Sequence, residues 1–132
     1  VLALSTDQLV FVADRHLATL TTLRADGSPH VVPVAFTWDA GAGRARITTR
    51  GTSVKARNVE QAVACGEIAR AALCQFDGRR WLTLEGTITL SRDPADVSAA
   101  VEAYAVRYRR LELQAERIVL HLAVDRVMGT VP

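Results

Sequence analysis

LATLTTLRADGSPHVVPVAFTW, residues 17–38, is the stretch on which the fold turns. Leu17 to Arg24 is a threonine- and leucine-rich run of β-forming residues, and Ala25-Asp26-Gly27-Ser28 stops it. His30 to Trp38 then resumes in the same β character. Asp-Gly between two such runs is a strong hairpin signal. A second turn over Asp39 to Gly43 leads into a third strand, RARITT, that ends at Thr49. The N-terminal half therefore reads as a β-meander.

Working outward, Ser5 stands three residues before Gln8, the spacing of a capping box, and predicts a short helix ending near Arg15. Ser53 to about Ala64 has helical spacing in Val54, Asn58, Val59 and Ala62. Ala71 to Phe76 and Trp81 to Ser91 read as strands joined at Asp77-Gly78. Asp93-Pro94 starts a third helix, with proline at its first position and Val97, Val101, Tyr104, Ala105 and Tyr108 on one face. A last strand alternates from about Ile118 to Met128. About six antiparallel strands with three helices predict a small, mainly β barrel with helices packed on it, a single domain over residues 1–132. HVVPVAF looks apolar on both faces, which in so small a barrel points to a partner subunit.

Hydrophobic residues make up 49% of the chain and the net charge is +2, values of a folded domain rather than of a disordered or nucleic-acid-binding one. Cys65 and Cys74 lie in no metal or redox spacing and read as buried or half-buried free thiols. His16, His30 and His121 are scattered, so no metal site is expected. No run approaches the roughly 18 apolar residues of a membrane span, and no signal peptide is evident. The expectation is a cytoplasmic protein with no membrane or nucleic-acid partner.

Side-chain catalysis finds no support. There is no nucleophile motif, no convincing carboxylate pair and no glycine-rich phosphate loop. Such an enzyme borrows its chemistry from a cofactor. Pro33 inside a strand suggests an edge, whose free backbone could also meet a flat ligand. His30 reads as a solvated strand-end residue or as a hydrogen-bond donor to that ligand. Trp81 suits the core, an interface or a ligand wall. Arg107, Arg109 and Arg110 read as the solvated, cation-bearing end of the last helix.

TTRGTSVKARN, residues 48–58, holds the only lysine among sixteen basic residues. Hydroxyls, a glycine and a helix start are the parts of an anion site, though they also make an ordinary solvated loop.

Four stretches carry a resemblance: HLATLTTLRADGSPHVVPVAF, ITTRGTSVKARNV, CQFDGRRWLTLEG and RIVLHLAVDRVMG. Together they resemble the split β-barrel flavin and deazaflavin oxidoreductases, a superfamily that includes the pyridoxamine 5′-phosphate oxidases. Within it they are most similar to small actinobacterial reductases using the deazaflavin coenzyme F420, in the biliverdin-reductase-like branch. The resemblance implies a homodimer with two cofactor sites at its interface. It places the deazaflavin ring along His30, Val31, Val32, Pro33 and Val34. The phosphate falls at Thr48, Thr49, Ser53 and Lys55, with Asn58 nearby. Gln75, Arg80 and Trp81 complete the site from the other subunit. The implied reaction is hydride transfer from reduced F420 to a conjugated small-molecule acceptor such as a tetrapyrrole, quinone or enone. The alternatives are an FMN-binding enzyme of the pyridoxamine phosphate oxidase type and a non-catalytic flavin- or haem-binding protein. One departure stands out: VEQAVACGEIARAAL makes a longer helix-to-strand link than is usual in the family.

Overall fold

The computed structural model describes residues 2–14, 16–112 and 116–132. Three helices, α1 (Thr6–Ala13), α2 (Val54–Ala64) and α3 (Pro94–Arg107), punctuate seven strands. These are β1 (Ala18–Leu23), β2 (Pro29–Val34), β3 (Thr37–Asp39), β4 (Arg44–Arg50), β5 (Arg70–Asp77), β6 (Arg80–Ser91) and β7 (Arg117–Gly129). All seven join one antiparallel sheet in the order β2-β1-β5-β6-β7-β4-β3.

The run expected as one strand from His30 to Trp38 is in fact two, and they lie at opposite edges of the sheet. Only Ala35 and Phe36 separate them. Two residues bridge at most roughly 10 Å, so the sheet must curl until its edges meet. That requirement makes a barrel with an unpaired seam. A bulge between Glu85 and Gly86 helps the long β6–β7 pair to bend. Glycine is needed there, because a Cβ on Gly86 would stand 1.9 Å from the Ala123 carbonyl oxygen.

The core fills the curled sheet with Leu20, Phe36, Ile47, Leu73, Leu82, Leu84, Ile88, Leu120 and Leu122, each at most 1% exposed. Helix α1 plugs one end with Phe11 and Val12 and is started by the expected Ser5–Gln8 capping box. Its last residue is Ala13, and Arg15 lies outside the described residues. Helix α2 is capped by Ser53 and buries Ala56 and Val59. Gly66, at φ +73°, ends it: the Gly66 amide donates to the Val63 carbonyl and the Glu67 amide to that of Ala62.

Arg107 corrects the expectation of a solvated helix end. Its guanidinium stacks on Phe36, 4.5 Å from the ring centroid, and on Tyr108 at 4.8 Å. It donates to the Asp14 carbonyl (2.7 Å), to Gln75 Oε1 (2.7 Å) and to the Phe36 carbonyl. Tyr108 reinforces it: its hydroxyl donates to the His16 carbonyl at 2.9 Å and accepts the Phe36 amide at 3.4 Å. The seam, the end of α1 and β5 are thus tied to the end of α3. Cys65 also departs from expectation, being exposed, while Cys74 is partly buried; both are free thiols.

Helix α3 crosses the outer face of β3, β4 and β7. Under it His121 is 6% exposed, and among the described residues its Nε2 has no partner; Arg46 Nε and Thr37 Oγ1 are likewise buried and unpartnered there. These residues are cross-strand neighbours, Thr37 opposite Arg46 and Arg46 opposite His121. Burial, with Arg44 and Arg46 close by, pushes the His121 pKa below its ordinary value against the weaker pull of Asp96 and Asp39.

Replacing Arg107 with alanine removes the guanidinium shared by the Asp14, Phe36 and Gln75 oxygens at the seam. The loss should lower unfolding stability by about 3 kcal/mol in urea denaturation; an unchanged midpoint would remove Arg107 from that role. For His121 the folded state binds its proton less readily than the unfolded state. Its contribution is therefore complete above the unfolded pKa of about 6.5 and is lost as pH falls through that value toward the lower folded one. His121→Gln should flatten this part of the stability–pH curve.

Candidate active site

The start of α2 gathers the first group of site residues. Thr49 Oγ1 donates to Ser53 Oγ at 3.2 Å, and the same oxygen caps the helix by accepting the Ala56 amide at 3.3 Å. With both acceptor positions used, the Ser53 hydroxyl hydrogen is left to point at a ligand. Lys55, in the first turn, is half-buried. Burial lowers its pKa and no neighbouring carboxylate opposes this. It makes no ion pair or hydrogen bond among the described residues. The first turn of α2 contains no acidic residue. An ammonium held out of water beside a helix N-terminus, with no counter-charge of its own, suits an anion.

One turn further on, the Asn58 amide donates to Thr22 Oγ1 at 3.0 Å. Thr22 is paired across the strands with His30, so α2 brings Asn58 to the His30 end of β2. His30 Nδ1 is buried and has no hydrogen-bond partner among the described residues. Thr22, buried within LATLTTL, was not singled out from the sequence. The signal was its place in the inward-facing set Ala18, Leu20 and Thr22. Thr48 departs from the group: strand alternation turns it to the opposite face of β4 from Thr49, in register with Val119.

Along β2, His30, Val32 and Val34 turn inward, while Val31 and Pro33 are exposed. Pro33 sits on an edge strand, where its missing amide costs the ladder nothing. The apolar run is not covered on both sides within the chain, since Val31 remains 56% exposed. Its outward neighbours across the sheet are Thr19 and Thr21, then Ala72, Cys74 and Phe76, then Trp81 and Thr83. Helix α3 lies over the other half of the sheet, so this face, which also carries Glu85 opposite Ala72, is left bare of helices.

The second group sits at the far end of the barrel. Val34 and Gln75 both pair with Ala18, four residues from the His30 end and roughly 13 Å along the strand. Gln75 is 1% exposed; its Nε2 donates to the Phe11 carbonyl at 2.7 Å and its Oε1 accepts from Arg107. Within one chain its side chain is buried and held by these two scaffold bonds, away from the Lys55 group. Arg80 lies over the Phe11 ring at 4.9 Å, and Trp81 is a partly exposed residue of the bare face. Within one chain, then, Arg80 and Trp81 do not meet Lys55.

The sequence matches the family model described as pyridoxamine 5′-phosphate oxidase over residues 6–130. It is 45% identical over 127 residues to an F420H(2)-dependent biliverdin reductase of Mycobacterium tuberculosis, covering 96% of this chain and 88% of that one. Among solved structures, a conserved hypothetical protein of Mycobacterium tuberculosis superposes with a TM-score of 0.78 at 17% identity, covering 98% of this chain and 85% of that one. A protein described as an F420 reductase does so with a TM-score of 0.70 at 20% identity, covering 90% and 94%. The curled seven-stranded sheet, its seam and its helices are thus those of a known fold, and the chain belongs to the pyridoxamine 5′-phosphate oxidase family.

Proposed function

We propose that this protein is a reductase that uses coenzyme F420 and passes a hydride to a flat, conjugated small-molecule acceptor. The observation that carries the reading is Lys55, a half-buried cation without a counter-charge at the start of α2. A phosphate there restores the charge balance and receives the Ser53 hydroxyl, while the ammonium serves as a point charge where no bidentate fork is required. The reductase of 45% identity supports F420 rather than FMN as the phosphate-bearing group, and a biliverdin-like tetrapyrrole as an acceptor; quinones and enones share the needed conjugation. When bound, reduced F420 supplies the hydride.

The chain's own part is positioning. The exposed edge of β2 offers Val31 and Pro33 as an apolar wall, while His30 turns to the opposite, inward face toward Thr22 and Asn58. A second copy of the chain set against the bare face would bury Val31 and Phe76. It would also bring its own Arg80 and Trp81 toward the wall, since a two-fold interface pairs each patch with its twin. Desolvation of the site then comes from dimer formation.

Lys55→Ala should weaken F420 binding by on the order of 1–3 kcal/mol, read by fluorescence titration. The circular dichroism spectrum should stay unchanged, because the Ser53 cap remains. Unaltered affinity removes Lys55 from the site, and binding of FMN with none of F420 overturns the cofactor. Val31→Asp places a charge in the proposed interface. Sedimentation equilibrium should show a monomer that has lost F420 binding; a dimer with full affinity would sink the interface assignment.

A further inference from the structure

A cavity of about 300 Å³ opens where α3 ends, far from Lys55, and the reading above leaves it unused. His16, Leu17, Tyr104, Tyr108 and Arg109 line it. Its floor is rigid. Tyr108 is fixed by its bonds to the His16 carbonyl and the Phe36 amide, and the Arg107 guanidinium covers its ring. Tyr104 packs against Tyr108 with centroids 4.9 Å apart and planes tilted by 40°. Among the described residues neither the Tyr104 hydroxyl nor the Arg109 guanidinium has a hydrogen-bond or ion-pair partner, while His16 on the cavity wall lies 3.7 Å from the Asp77 carboxylate. Leu17 adds an apolar surface that is 59% exposed.

Aromatic faces, an apolar side chain, a free phenolic hydroxyl and a free guanidinium select a flat molecule with an anionic end. The carbonyls at a helix C-terminus repel anions, but Arg107 in the last turn of α3 and the exposed Arg109 and Arg110 just beyond it place positive charge at this end. Leu17 leads directly into Ala18, the residue paired with Val34, so the cavity adjoins the far end of the β2 wall. We propose that it is the subsite for the carboxylate-bearing end of the conjugated acceptor. Arg109 and the Tyr104 hydroxyl hold the carboxylate, and the tyrosine rings hold the adjoining π-system. This assignment of the acceptor class rests on the reductase reading.

The test is a titration of the cofactor-free protein with biliverdin and with its dimethyl ester, followed by absorbance. The free acid should bind about tenfold more tightly than the ester. Arg109→Gln should abolish that preference while leaving ester binding in place, and Tyr104→Ala should weaken both ligands. In turnover with reduced F420, Arg109→Gln should raise KM for biliverdin without changing kcat, and leave the KM for menadione, which has no carboxylate, unchanged. Equal binding of acid and ester by the wild-type protein, or an acid preference that survives Arg109→Gln, overturns the subsite. If the subsite behaves as described but the protein neither binds nor oxidises reduced F420, the reductase reading fails and the subsite stands.

Discussion

The seam between β2 and β3 is the constraint on which the rest of the molecule depends. Two residues carry the chain from one edge of a seven-stranded sheet to the other, so the sheet has no freedom to lie open. No ladder hydrogen bonds close that gap. Its Phe36 carbonyl is met by Arg107, whose same guanidinium reaches Asp14 and Gln75. Burial pushes the Arg107 pKa down, yet guanidinium starts so high that it stays cationic, which is what a half-buried clamp requires. A lysine could not replace it, because the three acceptors lie in different directions and two flat rings pack against the plane.

Closure decides which surfaces are left to function. Helix α3 is pulled over β3, β4 and β7 by the same contacts that tie its last turn to the seam, so the outer face of β2, β1, β5 and β6 stays bare. The start of α2 is set by the end of β4, where Thr49 bonds to the capping Ser53. The Asn58–Thr22 bond then docks the helix on β1. The start of α2 with its half-buried Lys55 and the exposed edge of β2 at Val31 therefore lie toward one end of the barrel. Neither element was built for the other locally; the curl brings them together.

The elements whose signals are local could be read from the sequence. Asp26-Gly27 predicts the β1–β2 hairpin, Ser5 with Gln8 the first helix, and Asp93-Pro94 the third, and each stands where expected. The break at Ala35-Phe36 could not be read that way. Both residues are apolar and β-compatible, and what ends β2 is a change of pairing partner, which leaves no trace in periodicity. Arg107 was misread for a related reason. A cation at a helix C-terminus suits the dipole whether it is solvated or clamped, and its acceptors lie 32 to 93 positions away in sequence. In the candidate site, Ser53 and Lys55 were legible from the helix start. The link from Asn58 to Thr22 and His30 spans 36 positions and appears only in the folded chain. The two partners of Gln75, Phe11 and Arg107, lie 64 and 32 positions away and likewise appear only in the folded chain.

The use of a single lysine follows from these contrasts. Where arginine is needed here it bonds in several directions at once, as at the seam, or pairs side-on with a carboxylate, as Arg70 does with Asp125. Position 55 has none of those partners. It stands in the first turn of α2, and its charge is destabilised by burial. Arginine keeps its proton under such desolvation and carries a broader, more weakly hydrated charge; lysine is the cation whose ionisation is sensitive to the site. An anion bound beside Lys55 must raise the depressed pKa again, so binding and proton uptake at this residue are linked. The position that departs from the chain's usual choice of cation is thus a half-buried one whose charge has no partner among the described residues.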